Sequence, residues 1–245
     1  VTAVFAGLLT KVGVYAIIRF HTLVFAGGSM DNVLLVAGLL TMVVGILGAI
    51  AQSDIKRILS FTLVSHIGYM VFGVAVSTES GLSAAIYYVD HHIIVQTTLF
   101  LVVGLIERQA GSSSLRRLGS LAVLSPVLAV TFLIPALNLG GIPPFSGFVG
   151  KLAVVQAGAE VGGALNWILI AGAMATSLLT LYAIARVWNL AFWRVPHPDM
   201  PTEDDNANAS RTEEPEQPYE EQDVVNGQPG VMLPRLMIGS TVALV

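Results

Sequence analysis

Lys11, His66, His91, His92 and Lys151 are basic side chains set inside long apolar runs. An ammonium or imidazole in such a run can hold a proton away from bulk water. Lys11 stands in Gly7-Leu8-Leu9-Thr10-Lys11-Val12-Gly13-Val14-Tyr15. A charged lysine at the bilayer centre costs about 2.5–3.5 kcal/mol on insertion scales, so it calls for a use. Snorkelling to an interface is the competing explanation. Lys151 follows Phe148-Val149-Gly150, shortly after a Pro-Pro pair. It either exchanges protons between water and protein or caps carbonyls freed by a helix break.

His66 lies in Val64-Ser65-His66-Ile67-Gly68-Tyr69. A lone helical histidine is often a satisfied buried polar group, and that reading stands beside a relay role. His91 and His92 lie in Tyr87-Tyr88-Val89-Asp90-His91-His92-Ile93-Ile94-Val95-Gln96. Asp90, His91, His92 and Gln96 thus interrupt an otherwise apolar span. His92 and Gln96 are four apart and share a face. Imidazole titrates near neutral pH and can both donate and accept, which suits a relay. Asp90 is expected to neutralise an imidazolium or to pair with a basic group on a neighbouring helix.

Other chemistries lack their residues. Adjacent His91 and His92 diverge by about 100° on a helix, a poor arrangement for chelating one ion. There is no cysteine and no HExxH, so no metal site is expected. No phosphate loop, nucleophile elbow or dinucleotide fingerprint is present. The expectation is no cofactor, no enzyme active site of its own and no nucleic-acid partner.

The elements that must position these residues are membrane spans. The chain has 245 residues, 54% hydrophobic and only 11% charged, with mean hydropathy +0.75. Soluble domains carry about 25% charged residues, and one span needs about 20 apolar residues. Apolar segments cover roughly residues 1–25, 33–52, 55–76, 82–106, 121–159 and 164–192, and a last one begins at 231. The 121–159 segment is too long for one crossing. Leu139-Gly140-Gly141-Ile142-Pro143-Pro144-Phe145-Ser146-Gly147 interrupts it. Pro143 and Pro144 lack backbone donors and Gly141 permits unusual dihedrals, so a discontinuous helix is expected. In lipid such a break is tolerated where protein buries it or water reaches it. The expected architecture is an all-α polytopic transmembrane bundle of about seven spans.

Ten of the sixteen acidic residues fall between Asp199 and Asp223. Residues 195–230 are expected to form an acidic disordered loop, and residues 231–245 the start of a truncated last span. Alternating the spans puts Lys56, Arg57, Arg108, Arg116, Arg117, Arg186, Arg194 and Arg211 on one side. Arg235 falls just inside the following span on that side, and Arg19 lies towards the other. The positive-inside rule places the basic side, and with it the acidic loop, in the cytoplasm. Val1 stands inside an apolar run with no initiator Met. The expectation is an internal piece of a longer protein.

Four motifs in order carry a resemblance. They are Gly7-Leu8-Leu9-Thr10-Lys11-Val12-Gly13-Val14-Tyr15-Ala16, Gln52-Ser53-Asp54-Ile55-Lys56-Arg57, Val64-Ser65-His66-Ile67-Gly68-Tyr69 and Gly141-Ile142-Pro143-Pro144-Phe145-Ser146-Gly147-Phe148. Together they resemble the antiporter-like proton-conducting subunits shared by Mrp-type Na+/H+ antiporters and respiratory complex I. Lys151 after Gly147-Phe148-Val149-Gly150 is similar to the D-type branch of the Mrp subunits.

The resemblance implies that residues 1–194 are the C-terminal half of a fold of roughly fourteen helices in two inverted repeats. It implies Lys11 on the central eighth helix, His66 on the tenth and Lys151 on the broken twelfth, at the proton exit. Family members often place a lysine four residues after the eleventh-helix histidine, where this chain has Gln96. By that spacing His92 is the matching histidine; by the His-Asp pattern it is His91. The family's first-half Glu and Lys would lie upstream of Val1. The implied partners are H+, Na+, the plasma membrane and other subunits of a multisubunit antiporter. The alternative is a proton-pumping subunit of a complex I-type NADH:quinone oxidoreductase, without its own redox site. A third possibility is a non-transporting structural subunit, in which the embedded lysines could be leucine.

Overall fold

In the computed structural model, which describes residues 2–25 and 28–195, the apolar runs are helices and the Gly, Pro and Asp positions end them. α1 (Thr2–Val4), a π-helical turn (Phe5–Leu9) and α2 (Thr10–Val24) follow one another without leaving helical dihedrals. α3 is Asp31–Ala51, α4 Ile55–Ala75 and α5 Glu79–Ala110. A short α6 (Leu121–Leu124) leads into α7 (Pro126–Gly140). α8 (Ser146–Val161), α9 (Ala164–Trp188) and a second π-helical turn (Asn189–Trp193) complete the order. The expected acidic loop beyond Val195 and the span beginning at 231 lie outside the described residues.

Among the described residues, five helical stretches are long and apolar enough to cross a membrane: Ala6–Val24, Asp31–Ala51, Ile55–Ala75, Glu79–Ala110 and Ala164–Trp193. The molecule is a bundle of membrane helices. The expected discontinuous helix is the pair α7 and α8. α7 ends on Gly141, whose φ of +81° turns the chain out of the helix. Pro143 and Pro144 lie in the connecting stretch, and α8 begins at Ser146.

α4 is the central helix. Asp54 opens it, its side chain capping the helix by accepting from Lys56 N and Arg57 N. Ser113 Oγ donates to the other oxygen of Asp54 at 2.6 Å, and Ile55 N donates to Ser113 O. These bonds pin the basic loop after α5 onto the α3–α4 link. Arg194 donates to the carbonyls of Leu115, Arg116 and Leu118 in the same loop. Lys56 pairs with Glu107, and Arg186 donates to Ile50 O. Much of the basic charge thus gathers at one end of the bundle. The other faces of the peripheral helices are apolar and exposed, as Val33, Val36, Leu40, Val44 and Leu47 on α3 illustrate.

Two separate apolar clusters fill the interior. One, at the basic end, contains Ile55, Ile58, Leu59 and Leu63 of α4 with Val95, Leu99, Val103 and Ile106 of α5. The other contains Tyr69, Met70, Phe72 and Ala75 of α4 with Ala84 and Tyr88 of α5. His66 lies between the two clusters along α4, and His91 and His92 lie between them along α5. His66 is eleven residues from Ile55, about 16 Å along the axis at 1.5 Å per residue. That is about half the thickness of a hydrocarbon core. The layering therefore puts a polar stratum at mid-depth.

Candidate functional site

The π-helical turn prepares the position of Lys11. Such a turn widens the helix and frees a carbonyl from regular pairing. The Ala6 carbonyl accepts from Lys11 Nζ at 3.0 Å and from Thr10 Oγ1 at 3.0 Å. Lys11 Nζ also donates to Thr10 Oγ1 at 3.2 Å. Its side chain is buried rather than stretched to an interface.

The histidines form the middle of the site. His66 is fully buried, and its Nδ1 is 2.8 Å from Tyr88 Oη. The His66 and His92 rings stand 5.1 Å apart between centroids, and Tyr88 is 5.6 Å from His91. His91 Nδ1 lies 3.0 Å from Ser146 Oγ at the start of α8. The two adjacent histidines do not share one partner. The helical step turns His92 towards α4 and His91 towards the broken helix. Both positions expected from the sequence enter the same stratum on different sides.

Gln96 is buried, but it forms no hydrogen bond with His92 among the described residues. Its Nε2 donates to Leu59 O at 2.8 Å, because α4 passes within reach. Several buried polar atoms have no protein partner: His66 Nε2, His91 Nε2, both ring nitrogens of His92 and Gln96 Oε1. Buried polar atoms are paired in the great majority of cases, so this concentration is unusual.

Asp90 departs from expectation. It is exposed and pairs with neither His91 nor His92, nor with a basic residue, among the described residues. One residue before His91, it falls on the outward side of α5 beside exposed Ile86 and Ile94.

Lys151 reaches back across the break. Its Nζ donates to Leu139 O at 3.1 Å, Gly140 O at 3.0 Å and Ser177 Oγ at 3.0 Å. The Tyr69 ring lies 5.5 Å from Nζ. Lys151 therefore caps the carbonyls freed where α7 ends, as one of the two sequence readings requires. A cavity of about 280 Å³ also adjoins it, lined in part by Tyr69, Gly141, Phe148 and Ser177. A Cβ on Gly141 would lie 3.0 Å from Lys151 Cδ and 3.1 Å from Nζ, so a side chain there would crowd this approach. Capping and access to a cavity coexist at one ammonium.

Sequence reasoning did not single out Tyr69, Tyr88, Asn138, Ser146 or Ser177. Tyr88 was detectable, since Tyr88, His92 and Gln96 recur at i, i+4 and i+8 on one face. Tyr69 follows His66 by three. Its hydroxyl bonds to the carbonyl of Ala173 and meets Thr176 Oγ1 at 2.8 Å. Ser177 carries no local signal; its role exists because α9 packs across the break. Among the described residues no direct hydrogen bond joins Lys11 to the histidines or His91 to Lys151.

Known proteins of similar sequence and structure share this arrangement of helices. Residues 1–180 match the family model described as NADH:quinone oxidoreductase/Mrp antiporter, transmembrane. The chain is 45% identical over 196 residues to the D subunit of the Na+/H+ antiporter of Alkalihalophilus pseudofirmus, covering 79% of this chain and 39% of that protein. It is 37% identical over 195 residues to the protein of the same name from Bacillus subtilis, with coverage of 79% and 39%. A chain of the Mrp complex from Dietzia sp. superposes with a TM-score of 0.76 at 40% identity, over 80% of this chain and 36% of that one. A chain of respiratory complex I from Thermus thermophilus superposes with a TM-score of 0.71 at 27% identity, over 77% and 40%. The chain spans about two fifths of the length of the curated relatives it matches.

Proposed function

The chain belongs to the NADH:quinone oxidoreductase/Mrp antiporter transmembrane family, and from that premise we propose that it conducts protons as part of a multisubunit Na+/H+ antiporter. The observation that carries the proposal is the polar stratum between two apolar clusters, with five of its buried nitrogens and oxygens unpaired by protein. A stratum built only for stability would pair these atoms, because each unpaired one costs about 1–3 kcal/mol. Unpaired histidine nitrogens are where water and protons can bind in turn. Lys11 holds a proton at one side of the stratum, His92, His66 and His91 pass it, and Lys151 releases it into the adjoining cavity. Water bridges each of these steps, since among the described residues no direct hydrogen bond joins any two of the five.

Residues 1–194 form the conducting domain, the second half of a fold of about fourteen helices. The basic end faces the cytoplasm, and the acidic stretch 195–230 extends from it as a disordered loop. Partner subunits of the plasma-membrane assembly carry the coupled Na+ movement. Higher identity to the antiporter D subunits and to the Mrp complex chain than to the complex I chain favours the antiporter over a complex I-type assembly.

The test is proton flux through the whole assembly in everted vesicles. His92→Ala is expected to lower Na+-coupled proton flux about a hundredfold, the usual worth of one proton-transfer group. Wild-type flux in a normally assembled His92→Ala complex would overturn the proposal. Flux that requires NADH oxidation would assign the chain to the complex I-type assembly instead.

A further inference from the structure

The backbone at the helix break dictates which ring nitrogen of His91 carries a hydrogen. Gly147 N lies 2.8 Å from Asn138 Oδ1, and a backbone N–H can only donate. The Asn138 side-chain atom facing it is therefore the amide oxygen, which can only accept. The same oxygen lies 3.3 Å from Ser146 Oγ. The serine hydroxyl has one hydrogen, and this contact directs it to Asn138. Ser146 then presents only lone pairs to His91 Nδ1, 3.0 Å away. Nδ1 must bring the hydrogen to that bond. The first step is fixed by the peptide chain, and the assignment at His91 is the one that makes all three contacts hydrogen bonds at once.

The close approach that starts this chain depends on a missing side chain. A Cβ on Gly147 would lie 2.0 Å from the backbone oxygen of Asn138. Only glycine lets the first turn of α8 sit against the end of α7 in this way. Ser146 is thereby placed below His91, while Lys151 extends from the same helix to the α7 carbonyls.

We propose that Asn138 and Ser146 are positioning residues that hold His91 as its Nδ1–H tautomer, leaving Nε2 as the atom at which it gains and loses a proton. Nε2 is buried and has no protein partner. With Nδ1 committed to Ser146, the neutral and charged rings differ only at Nε2. A proton on Nε2 is handed on within the polar stratum shared with His66, His92, Tyr88 and Lys151. It is not lost through Ser146 into the α7–α8 link. The consequence for flux rests on the conduction proposed above; the tautomer itself does not.

The experiment is nitrogen-15 NMR of the whole assembly in bilayers with labelled histidine, His91 being assigned by difference against His91→Asn. The wild-type protein is expected to show a protonated Nδ1 and a lone-pair Nε2. In Ser146→Ala the ratio of Nδ1–H to Nε2–H should fall at least about fivefold, the worth of one ordinary hydrogen bond. Asn138→Ala should shift it the same way, because Ser146 is then free to donate to Nδ1. Ser146→Thr keeps the hydroxyl and should restore the wild-type ratio and flux. An Nε2–H tautomer in the wild type, or a ratio unmoved by both alanine substitutions, overturns the inference. Flux lost in Ser146→Ala with the tautomer unchanged overturns it too. A wild-type tautomer as expected, combined with undiminished flux in His92→Ala, would leave the positioning intact and remove the conduction proposal instead.

Discussion

Replacing Lys151 by arginine separates the two jobs its geometry allows. The ammonium donates to Leu139 O, Gly140 O and Ser177 Oγ. In Lys151→Ala these bonds go, but Gly140 O keeps a donor, since Ser177 Oγ also reaches it at 3.2 Å. Leu139 O is left as the orphan, at a cost of about 1–3 kcal/mol. The adjoining cavity of about 280 Å³ can admit water to that carbonyl, which places the cost at the lower end. Arginine restores donors to the break, so Lys151→Arg should assemble and melt like the wild type. Its guanidinium does not deprotonate in proteins, so it cannot release a proton. Both variants are expected to lose about a hundredfold in Na+-coupled proton flux, with only the alanine variant losing stability. The assay is dye-monitored pH change in everted vesicles, with assembly checked by native gel. Lys151→Arg with wild-type flux would refute the reasoning and leave Lys151 as a cap on a broken helix.

Tyr88→Phe removes the hydroxyl 2.8 Å from His66 Nδ1; it should cost about 1 kcal/mol in thermal stability and lower flux several-fold, and unchanged flux would take Tyr88 out of the path. Gly147→Ala places a methyl 2.0 Å from Asn138 O; the displaced α8 should cost about 1–3 kcal/mol, read as a lowered melting temperature of the purified assembly, and a wild-type melting temperature would show that the break yields more easily than the geometry states.

The spans and their interruption were legible because their signals are local. An apolar run of sufficient length fixes a crossing, and Gly141 with Pro143 and Pro144 stops a helix. The polar residues at mid-depth were legible for the same reason, since rise per residue places Lys11, His66 and His92 along their helices without knowledge of neighbours. Direction was less legible. Asp90 and His91 are consecutive, yet one is exposed and the other buried. Gln96 looked like the partner of His92 by spacing, but the carbonyl of Leu59 on α4 takes its amide.

The sequence by itself determined that this is a membrane-helix chain with basic groups at mid-depth and one broken helix, because hydropathy, helical rise and the chemistry of proline and glycine act within a few residues. Tertiary structure decided what those groups touch. It divided His91 from His92, closed Lys151 onto Leu139 and Gly140, brought Ser177 from α9 and set Ser146 beneath His91. Depth is a property of one helix, while facing and pairing depend on how several helices pack, and the residues that settle them lie up to 107 positions apart.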